Sequence, residues 1–158
     1  PEKFIPLFAT NAIDGEPLPF YADGRQRRDW LSVYDHAAGI QHVFEQGEPG
    51  TVYNVGGGNE RENITVAEQI VATLGKSRSL IRFVQDRPGH DRRYSIDCRR
   101  LRALGWSPQV PFEEGLKQTV EWYRTHESWW RTIKSGEFKD YYQQQYAKRL
   151  QQGTACGL

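Results

Sequence analysis

The sequence predicts one mixed α/β domain built from helices and short strands, on three grounds. Helical and strand patterns alternate along the chain, which contains no internal repeat and no low-complexity linker. The length of 158 residues suits one hydrophobic core rather than two. The composition, with 37% hydrophobic and 13% aromatic residues, is sufficient to fill such a core.

The first predicted elements are a helix, a strand and a turn. Residues 4–13 space their apolar side chains as a helix does, and Asp14-Gly15 is typical of a helix end. Residues 18–21 contain aliphatic and aromatic side chains that predict a strand. Ala22-Asp23-Gly24 then indicates a turn, and we expect a second extended run at residues 30–34.

The middle of the chain predicts a helix, a strand and another helix. Residues 35–44 repeat apolar side chains at the helical period, and Asp35 is well placed to cap that helix. Residues 51–55 are rich in β-forming side chains and predict a strand that ends at Gly56-Gly57-Gly58. A capping box of the Thr-x-x-Glu type then opens a helix over about residues 65–74.

The last third of the chain predicts a further strand and two helices. Residues 80–84 form the strand candidate, and Asp97 is placed to cap a short helix that ends near Gly105. Pro111 occupies the first position of the last long helix, and acidic residues follow it, as suits a helix amino terminus. The apolar stripe of that helix consists of Phe112, Leu116, Val120, Tyr123 and Trp130.

Charge and hydropathy exclude several classes of protein. The net charge of +1 provides no field that attracts nucleic acid or an anionic membrane, and we expect neither partner. With a mean hydropathy of -0.76 and no signal-peptide pattern, we expect a soluble, cytoplasmic protein. Cys98 and Cys156 lie outside any metal-binding pattern, so we expect neither a metal nor a disulfide framework. Because the sequence lacks methionine and opens on Pro1, we expect it to be a fragment.

Two arginine clusters are the main candidates for a ligand site. The first comprises Arg25, Arg27 and Arg28, and the second comprises Arg87, Arg92 and Arg93, with His90 and Tyr94 nearby. Guanidinium groups are forked and permanently charged, so two arginines from different segments could clamp a diphosphate. The alternative is a set of solvated surface arginines paired with Asp29, Asp86 and Asp91.

Other patterns allow either a binding or a structural role. Gly56-Gly57-Gly58 could approach a phosphate, but no dinucleotide-binding or P-loop motif is present, so a turn is the favoured interpretation. Asn63 could lie in a turn or could offer its amide to a ligand. The aromatic candidates, which could stack on a base or pack in the core, are Phe20, Tyr21, Tyr141, Tyr142 and Tyr146.

The sequence contains no convincing reaction centre, and we expect no catalytic residue in it. A Tyr-x-x-x-Lys pair, which places a phenol and an ammonium one helical turn apart for proton transfer, does not occur. Neither a Gly-x-Ser-x-Gly elbow nor a His-Glu-x-x-His zinc pair is present. The chain therefore offers groups that hold a ligand rather than groups that transform it.

Several short blocks resemble the carboxy-terminal half of the extended short-chain dehydrogenases that act on nucleotide sugars. These blocks are residues 1–6, 18–21, 28–31, 53–57 and 104–108. The resemblance narrows to the dTDP-glucose 4,6-dehydratase family at residues 86–94, Asp-Arg-Pro-Gly-His-Asp-Arg-Arg-Tyr, with matching elements at 121–123 and 134–136. It extends from Pro1 to about Tyr146. It implies the smaller, substrate-binding part of that fold, without the Rossmann half that binds NAD.

The resemblance implies a sugar-nucleotide binding domain at residues 1–150 and a tail at residues 151–158. It implies ten substrate-binding residues and no catalytic, cofactor-binding or metal-binding residue. They are Lys3 and Phe4 along the nucleotide pocket, Pro19, Phe20 and Tyr21 at the thymine, Arg28 and Arg87 at the diphosphate, Asn63 and His90 at the nucleotide, and Tyr146 closing from the tail.

For the complete enzyme, the resemblance implies conversion of dTDP-glucose to dTDP-4-keto-6-deoxyglucose and water in rhamnose-type deoxysugar biosynthesis. NAD and the catalytic Tyr-x-x-x-Lys pair would belong to the amino-terminal half, and the full-length form would be a homodimer. This chain alone would be inactive. Two alternatives stay open, namely another nucleotide-sugar dehydratase or epimerase of the same superfamily, or a non-catalytic nucleotide-binding module.

Overall fold

The computed structural model describes residues 3–151, apart from the side chains of Glu137 and Lys148. The helices are α1 (Phe4–Asp14), α2 (Val33–Gln46), α3 (Asn63–Thr73), α4 (Arg99–Ala103), α5 (Phe112–Thr125), α6 (Glu127–Lys134), α7 (Glu137–Tyr142) and α8 (Lys148–Gln151). A 3-10 turn spans Arg78–Leu80, and a π-helical turn spans Gln143–Ala147. The strands are β1 (Leu18–Tyr21), β2 (Arg27–Asp29), β3 (Glu60–Glu62) and β4 (Ile81–Val84). This mixture of helices and short strands was predicted. The predicted tail, residues 151–158, lies outside the described residues except for Gln151.

The strands form two small sheets. β1 pairs with β4 in parallel, and β2 pairs with β3 in antiparallel orientation. A single parallel bridge joins Arg27 to Arg93. There the Arg27 N–H donates to the Arg92 carbonyl at 2.8 Å, and the Tyr94 N–H donates to the Arg27 carbonyl at 3.1 Å. The pairing places the two arginine clusters of the sequence side by side.

Helices α1, α3 and α5 pack against one another and against β1 to form the core. The fully buried side chains include Ala9, Ala12, Leu18, Val66, Ile70 and Val120. Burial of a large aliphatic or aromatic side chain stabilises the fold by about 1.5–3 kcal/mol, so this core provides the main stabilising contribution. The first turn of α1 lies at the edge of the core, where Phe4 is only half-buried.

Several predicted elements are confirmed at their predicted positions. α1 ends at Gly15, whose φ of +74° is a left-handed conformation that glycine adopts at little cost. β1 has its predicted bounds, and β4 begins one residue later than predicted. The Asp97 carboxylate accepts the Arg99 N–H at 2.9 Å and so caps α4 from two residues before its start.

The predicted extended run at residues 30–34 is wrong. The strand in this region ends at Asp29, and the helix α2 already begins at Val33. The helix begins there because the Ser32 hydroxyl accepts the Tyr34 N–H at 3.3 Å, which satisfies a backbone donor of the first turn. The β-forming side chains at 33 and 34 are overridden by this cap.

Asp35 does not cap α2 as predicted. Its side chain is buried, and its carboxylate accepts two backbone N–H groups from the loop before α5. The donors are Gln109 at 3.0 Å and Val110 at 2.9 Å. Asp35 therefore joins two distant segments of the chain, a role that local sequence does not reveal.

The predicted strand at residues 51–55 is wrong for the described chain. The segment has no strand partner within residues 3–151, and its Val52 side chain is 75% exposed. The Asn54 amide donates to the Asp97 carbonyl at 3.0 Å, which holds the segment by a side chain rather than by a ladder. The strand near the glycine run is β3, which follows the glycines instead of preceding them.

The predicted start of the helix near residue 65 is also wrong. α3 begins at Asn63, because carbonyl groups of the turn after β1 accept its first N–H groups. The Asn63 N–H donates to the Gln26 carbonyl at 2.9 Å, and the Ile64 N–H donates to the Gly24 carbonyl at 3.0 Å. Thr65 consequently lies inside the helix, where a capping box has no function.

The carboxy-terminal helices differ from the prediction in two respects. Pro111 precedes α5 as its N-cap, and that helix ends at Thr125. Trp130, predicted in the same stripe, lies in α6 instead. Its ring is 1% exposed, and its indole N–H donates to the Tyr123 carbonyl at 2.7 Å, so α6 folds back on α5. The chain then returns toward β1 through α7 and α8.

Two kinds of feature are absent from the described part of the chain. No helix between residues 3 and 151 is long and apolar enough to cross a membrane. Over the same range, no group of three or more histidine, cysteine, aspartate or glutamate side chains is arranged to hold a metal ion.

Candidate functional site

A cleft of about 710 Å³ opens between the first turn of α1, the end of β1, β2, the loop after β4 and the carboxy-terminal turns. All ten predicted binding residues line it. They are Lys3, Phe4, Pro19, Phe20, Tyr21, Arg28, Asn63, Arg87, His90 and Tyr146. The structure thus brings residues from across the chain to one cavity, and their contacts with a ligand stay a prediction.

Aromatic rings form the apolar wall of the cleft. Phe20 is 2% exposed, and its ring packs edge to face on Phe8 and Phe83 at centroid distances of 5.6 and 5.8 Å. Phe4 lies beside them, 4.3 Å from Phe8 and 5.8 Å from Trp30. Because core contacts fix these rings, the wall offers a rigid surface on which a planar base could stack.

Arg28 carries a charge that the described protein leaves uncompensated. Its guanidinium donates to the backbone carbonyls of Arg27 at 2.7 Å and Asp91 at 3.0 Å. It also approaches Nε2 of His90 at 3.4 Å and lies over the Tyr94 ring, 4.0 Å from its centroid. No carboxylate within residues 3–151 forms a salt bridge with it. A guanidinium held in this way in a cleft is suited to an anionic ligand.

The other clustered arginines, Arg25, Arg27, Arg92 and Arg93, do not line the cleft. Arg92 donates two hydrogen bonds to the Asp23 carboxylate, at 2.7 and 3.1 Å. Arg93 donates two to the Glu60 carboxylate, at 2.7 and 2.5 Å, and these bonds lower the pKa of Glu60 to about 2. The hypothesis of paired surface arginines therefore fits Arg92 and Arg93, with other carboxylates than predicted, and does not fit Arg28.

His90 links the cleft to the loop after β4. Its Nδ1 lies 2.6 Å from the Asp86 carboxylate, and its Nε2 faces the Arg28 guanidinium. A proton on Nδ1 donates to Asp86 and leaves Nε2 as an acceptor for the Arg28 guanidinium. Gln26, which is 3% exposed, approaches Nδ1 from the other side at 3.5 Å. The ring is thereby held where its Nε2 helps to locate the guanidinium.

Arg87 lies exposed on the cleft wall, and its guanidinium forms no hydrogen bond within residues 3–151. Its backbone N–H donates to the Asp86 carboxylate at 2.9 Å. The hydrogen bond to Asp91 raises the pKa of Tyr94, while the charges of Arg28 and Arg87 oppose that shift. Two guanidinium groups from separate segments therefore line the same cleft, as a diphosphate clamp would require.

Asn63 and Trp30 place buried polar atoms on the cleft without partners. Asn63 is 9% exposed, and its Oδ1 has no hydrogen-bond partner within residues 3–151. The same holds for Nε1 of Trp30 over that range. A buried polar atom without a partner costs about 1–3 kcal/mol. A ligand that offers both a donor and an acceptor would recover part of this cost.

The carboxy-terminal turns close one end of the cleft. The Tyr146 ring is 8% exposed and lies 4.9 Å from Tyr142 and 6.2 Å from Tyr21. Burial, and then its hydrogen bond with Tyr21, raises the pKa of Tyr146 far above the usual phenol value. Arg149 donates to the Tyr21 hydroxyl at 2.8 Å. Tyr146 therefore stays a neutral hydroxyl beside Tyr21 at this end of the cleft.

The glycine run is occupied by a carboxylate of the protein. Asp29 accepts the N–H groups of Gly58 at 3.1 Å and Asn59 at 2.7 Å. A Cβ atom at Gly57 would lie 2.3 Å from the Trp30 carbonyl oxygen, so close packing requires glycine there. These contacts support the turn interpretation. The Gly58 amide, which is bound to Asp29, is therefore not available to a phosphate.

Sequence patterns missed several residues of the cleft wall. They are Leu7, Phe8, Gln26, Asp29, Trp30, Gln145 and Arg149. The period of two along a strand could have identified Gln26 and Trp30, since both share a face with Arg28. Gln145 and Arg149 follow no motif, and only the return of the tail brings them to the cleft.

Comparisons with known proteins place this fold among nucleotide-sugar enzymes. The chain is 51% identical to a dTDP-glucose 4,6-dehydratase from Streptomyces niveus over 136 residues, which cover 85% of this chain and 40% of that protein. A structure of dTDP-glucose 4,6-dehydratase from Bacillus anthracis in complex with NAD matches with 48% identity and a TM-score of 0.79, over 84% of this chain and 42% of that one. A UDP-glucose 4-epimerase from Thermotoga maritima matches with 27% identity and a TM-score of 0.72, over 78% of this chain and 40% of that one.

These comparisons confirm the resemblance that the sequence blocks predicted, including the partial match to a longer fold. The chain spans about two fifths of the length of the relatives it matches. A family model described as GDP-mannose 4,6 dehydratase matches residues 1–119, which is most of the chain. The chain therefore belongs to the GDP-mannose 4,6 dehydratase family.

Proposed function

We propose that this chain is the substrate-binding part of a dTDP-glucose 4,6-dehydratase. The whole enzyme would convert dTDP-glucose to dTDP-4-keto-6-deoxyglucose and water. Identities of 51% and 48% to two dTDP-glucose 4,6-dehydratases, against 27% to a UDP-glucose 4-epimerase, support this activity over epimerisation. In this proposal residues 1–150 bind the sugar nucleotide, and residues 151–158 are a tail.

The observation that carries the proposal is the uncompensated Arg28 guanidinium beside a rigid aromatic wall in one cleft. A nucleoside diphosphate combines the two features that such a cleft recognises, namely a planar base and two adjacent anionic groups. The base would lie against Pro19, Phe20 and Tyr21, with Lys3 and Phe4 along the nucleotide. The diphosphate would lie between Arg28 and Arg87.

The remaining cleft residues would complete the contacts. The unpartnered Oδ1 of Asn63 can accept a hydrogen bond from the nucleotide, and Tyr146 would close on the ligand from the tail. His90 would contact the nucleotide and hold Arg28. These groups would orient the sugar and exclude water from it, so the chain contributes positioning to the reaction. Proton transfer would come from residues outside the chain.

NAD would be held outside this chain, in the part of the enzyme that its relatives have in addition. When bound, NAD would supply a hydride acceptor and donor for the sugar. The described residues are compatible with this division, because Asp29 already accepts the N–H groups of Gly58 and Asn59 at the end of the glycine run. We also propose that the full-length enzyme is a homodimer that includes the amino-terminal half.

The activity is tested with the full-length protein by incubation with dTDP-glucose, UDP-glucose and GDP-mannose in parallel. Formation of a 4-keto-6-deoxy sugar is followed by NMR. We expect product from dTDP-glucose at a kcat/KM well above that for the other two. Equal turnover of UDP-glucose, or its conversion to UDP-galactose, would instead identify a different enzyme of the superfamily.

The binding assignment is tested with a matched pair of arginine variants. Arg28→Met removes the uncompensated cation, and Arg92→Met removes a cation that is already paired with Asp23. A lost charge-assisted hydrogen bond costs about 1.5–3 kcal/mol, so Arg28→Met should raise KM for dTDP-glucose by roughly 10- to 150-fold. Arg92→Met should change KM by less than about threefold. Equal KM values for the two variants would refute the assignment of Arg28 to the diphosphate.

A further inference from the structure

Arg28 lies next to a carboxylate that does not pair with it. The Asp91 backbone carbonyl accepts a hydrogen bond from Arg28 at 3.0 Å, so the Asp91 side chain starts within a few bonds of the guanidinium. Its carboxylate nevertheless accepts the hydroxyl of Tyr94, three residues later. No salt bridge between Arg28 and Asp91 exists in the described chain.

An ion pair between Arg28 and Asp91 would be the ordinary result of this proximity. Arginine and carboxylate form bidentate pairs readily, as Arg92 and Arg93 do in the same region. Such a pair would neutralise the cation and occupy the donors that a diphosphate needs. The Tyr94 hydroxyl opposes a pair between Arg28 and Asp91, because it donates a hydrogen bond to the Asp91 carboxylate.

We infer that Tyr94 is a positioning residue that keeps Arg28 available for the diphosphate by holding the Asp91 carboxylate away from it. Tyr94 acts at two points. Its ring supports the guanidinium plane, with the Arg28 Cζ 4.0 Å from the ring centroid. Its hydroxyl donates to the Asp91 carboxylate, which would otherwise accept hydrogen bonds from Arg28. This inference rests on the proposed function and adds a specificity device to the same cleft.

The surroundings of Tyr94 fix this arrangement. Its backbone N–H donates to the Arg27 carbonyl at 3.1 Å. The Tyr94 ring and the Arg28 side chain therefore project from two segments that are paired by the bridge between Arg27 and Arg93. The hydrogen bond to Asp91 raises the pKa of Tyr94, so the phenol stays protonated and remains a donor at neutral pH. Asp91 therefore remains occupied under the conditions in which the enzyme works.

The test separates the hydroxyl from the ring. Tyr94→Phe keeps the ring beneath Arg28 and removes the competing donor, which frees Asp91 to pair with Arg28. We expect Tyr94→Phe in the full-length protein to weaken dTDP binding roughly tenfold, measured by calorimetry. Thymidine, which has no phosphate, should bind with nearly unchanged affinity. Tyr34→Phe, at an exposed tyrosine of α2, is the matched control and should leave both affinities unchanged.

A second substitution distinguishes this mechanism from simple loss of structure. In an Asp91→Asn background no anion can capture Arg28, so adding Tyr94→Phe should change dTDP affinity by less than about threefold. A tenfold loss that persists in that background would overturn the inference, as would unchanged dTDP affinity in Tyr94→Phe alone. Failure of the wild-type protein to bind dTDP would overturn the proposed function itself and the inference with it.

Discussion

Asp35 provides a prediction that measures how one buried carboxylate holds the fold together. The side chain is 5% exposed and accepts the N–H groups of Gln109 at 3.0 Å and Val110 at 2.9 Å. Asp35→Ala removes the acceptors of two partly buried N–H groups. An unsatisfied buried donor costs about 1–3 kcal/mol and a partly buried one lies toward the lower end, so the free energy of unfolding should fall by about 2–3 kcal/mol. Asp35→Asn keeps one acceptor oxygen and should lose about half of that.

The assay combines a global and a local measurement on the full-length protein. Urea denaturation gives the free energy of unfolding, and hydrogen exchange reports the protection of the amides of Gln109 and Val110. His36→Ala, at the exposed neighbouring position, is the control and should change neither quantity. If Asp35→Ala unfolds at the same urea concentration as wild type and these amides keep their protection, the reasoning is wrong.

Two further predictions concern packing and pH. Gly24→Ala should destabilise the protein by about 2–5 kcal/mol in urea denaturation, because its φ is +73° and the new Cβ would lie 2.4 Å from the Phe20 ring. Gly15→Ala has a similar φ of +74° with open space, so it isolates the backbone cost, and an equal loss in both variants would exclude the packing explanation. Arg93→Met should raise the pKa of Glu60 from about 2 toward its ordinary 4.5, measured by NMR titration. Because the folded-state pKa is depressed, this pair stabilises the protein above about pH 4.5 and loses its effect as the pH falls toward 2, and an unchanged Glu60 titration in Arg93→Met would contradict the assignment.

The sequence predicted those elements whose limits are set by neighbouring residues. α1 follows its apolar period and ends at Gly15 because glycine there adopts the left-handed conformation. The start of α3 follows from distant carbonyl groups at Gly24 and Gln26, so a local capping box misplaced it. Residues 51–55 have strand-forming side chains, but a strand also requires a partner, and none lies within the described chain.

The cleft shows the same division between local and distant causes. The resemblance identified ten residues that the structure brings to one cavity, because family motifs record positions along the chain. The resemblance could not show which arginines have no carboxylate partner in the folded protein. Arg28, Arg92 and Arg93 have the same side chain, and only the fold decides that carboxylates pair with the last two. Charge availability is a tertiary property, so local spacing does not predict it.

The cleft contains two classes of residue whose substitution should separate binding from stability. Phe20 belongs both to the core and to the cleft wall, so Gly24→Ala, which displaces its ring, should lower stability and dTDP affinity together. Arg28 is different, because its hydrogen bonds to the Arg27 and Asp91 carbonyls are exposed and its guanidinium forms no salt bridge within residues 3–151, so it contributes little to folding. Arg28→Met should therefore weaken binding while the free energy of unfolding falls by no more than about 1 kcal/mol. Loss of stability in Arg28→Met as large as in Gly24→Ala would mean that Arg28 is held for the fold and not for a ligand.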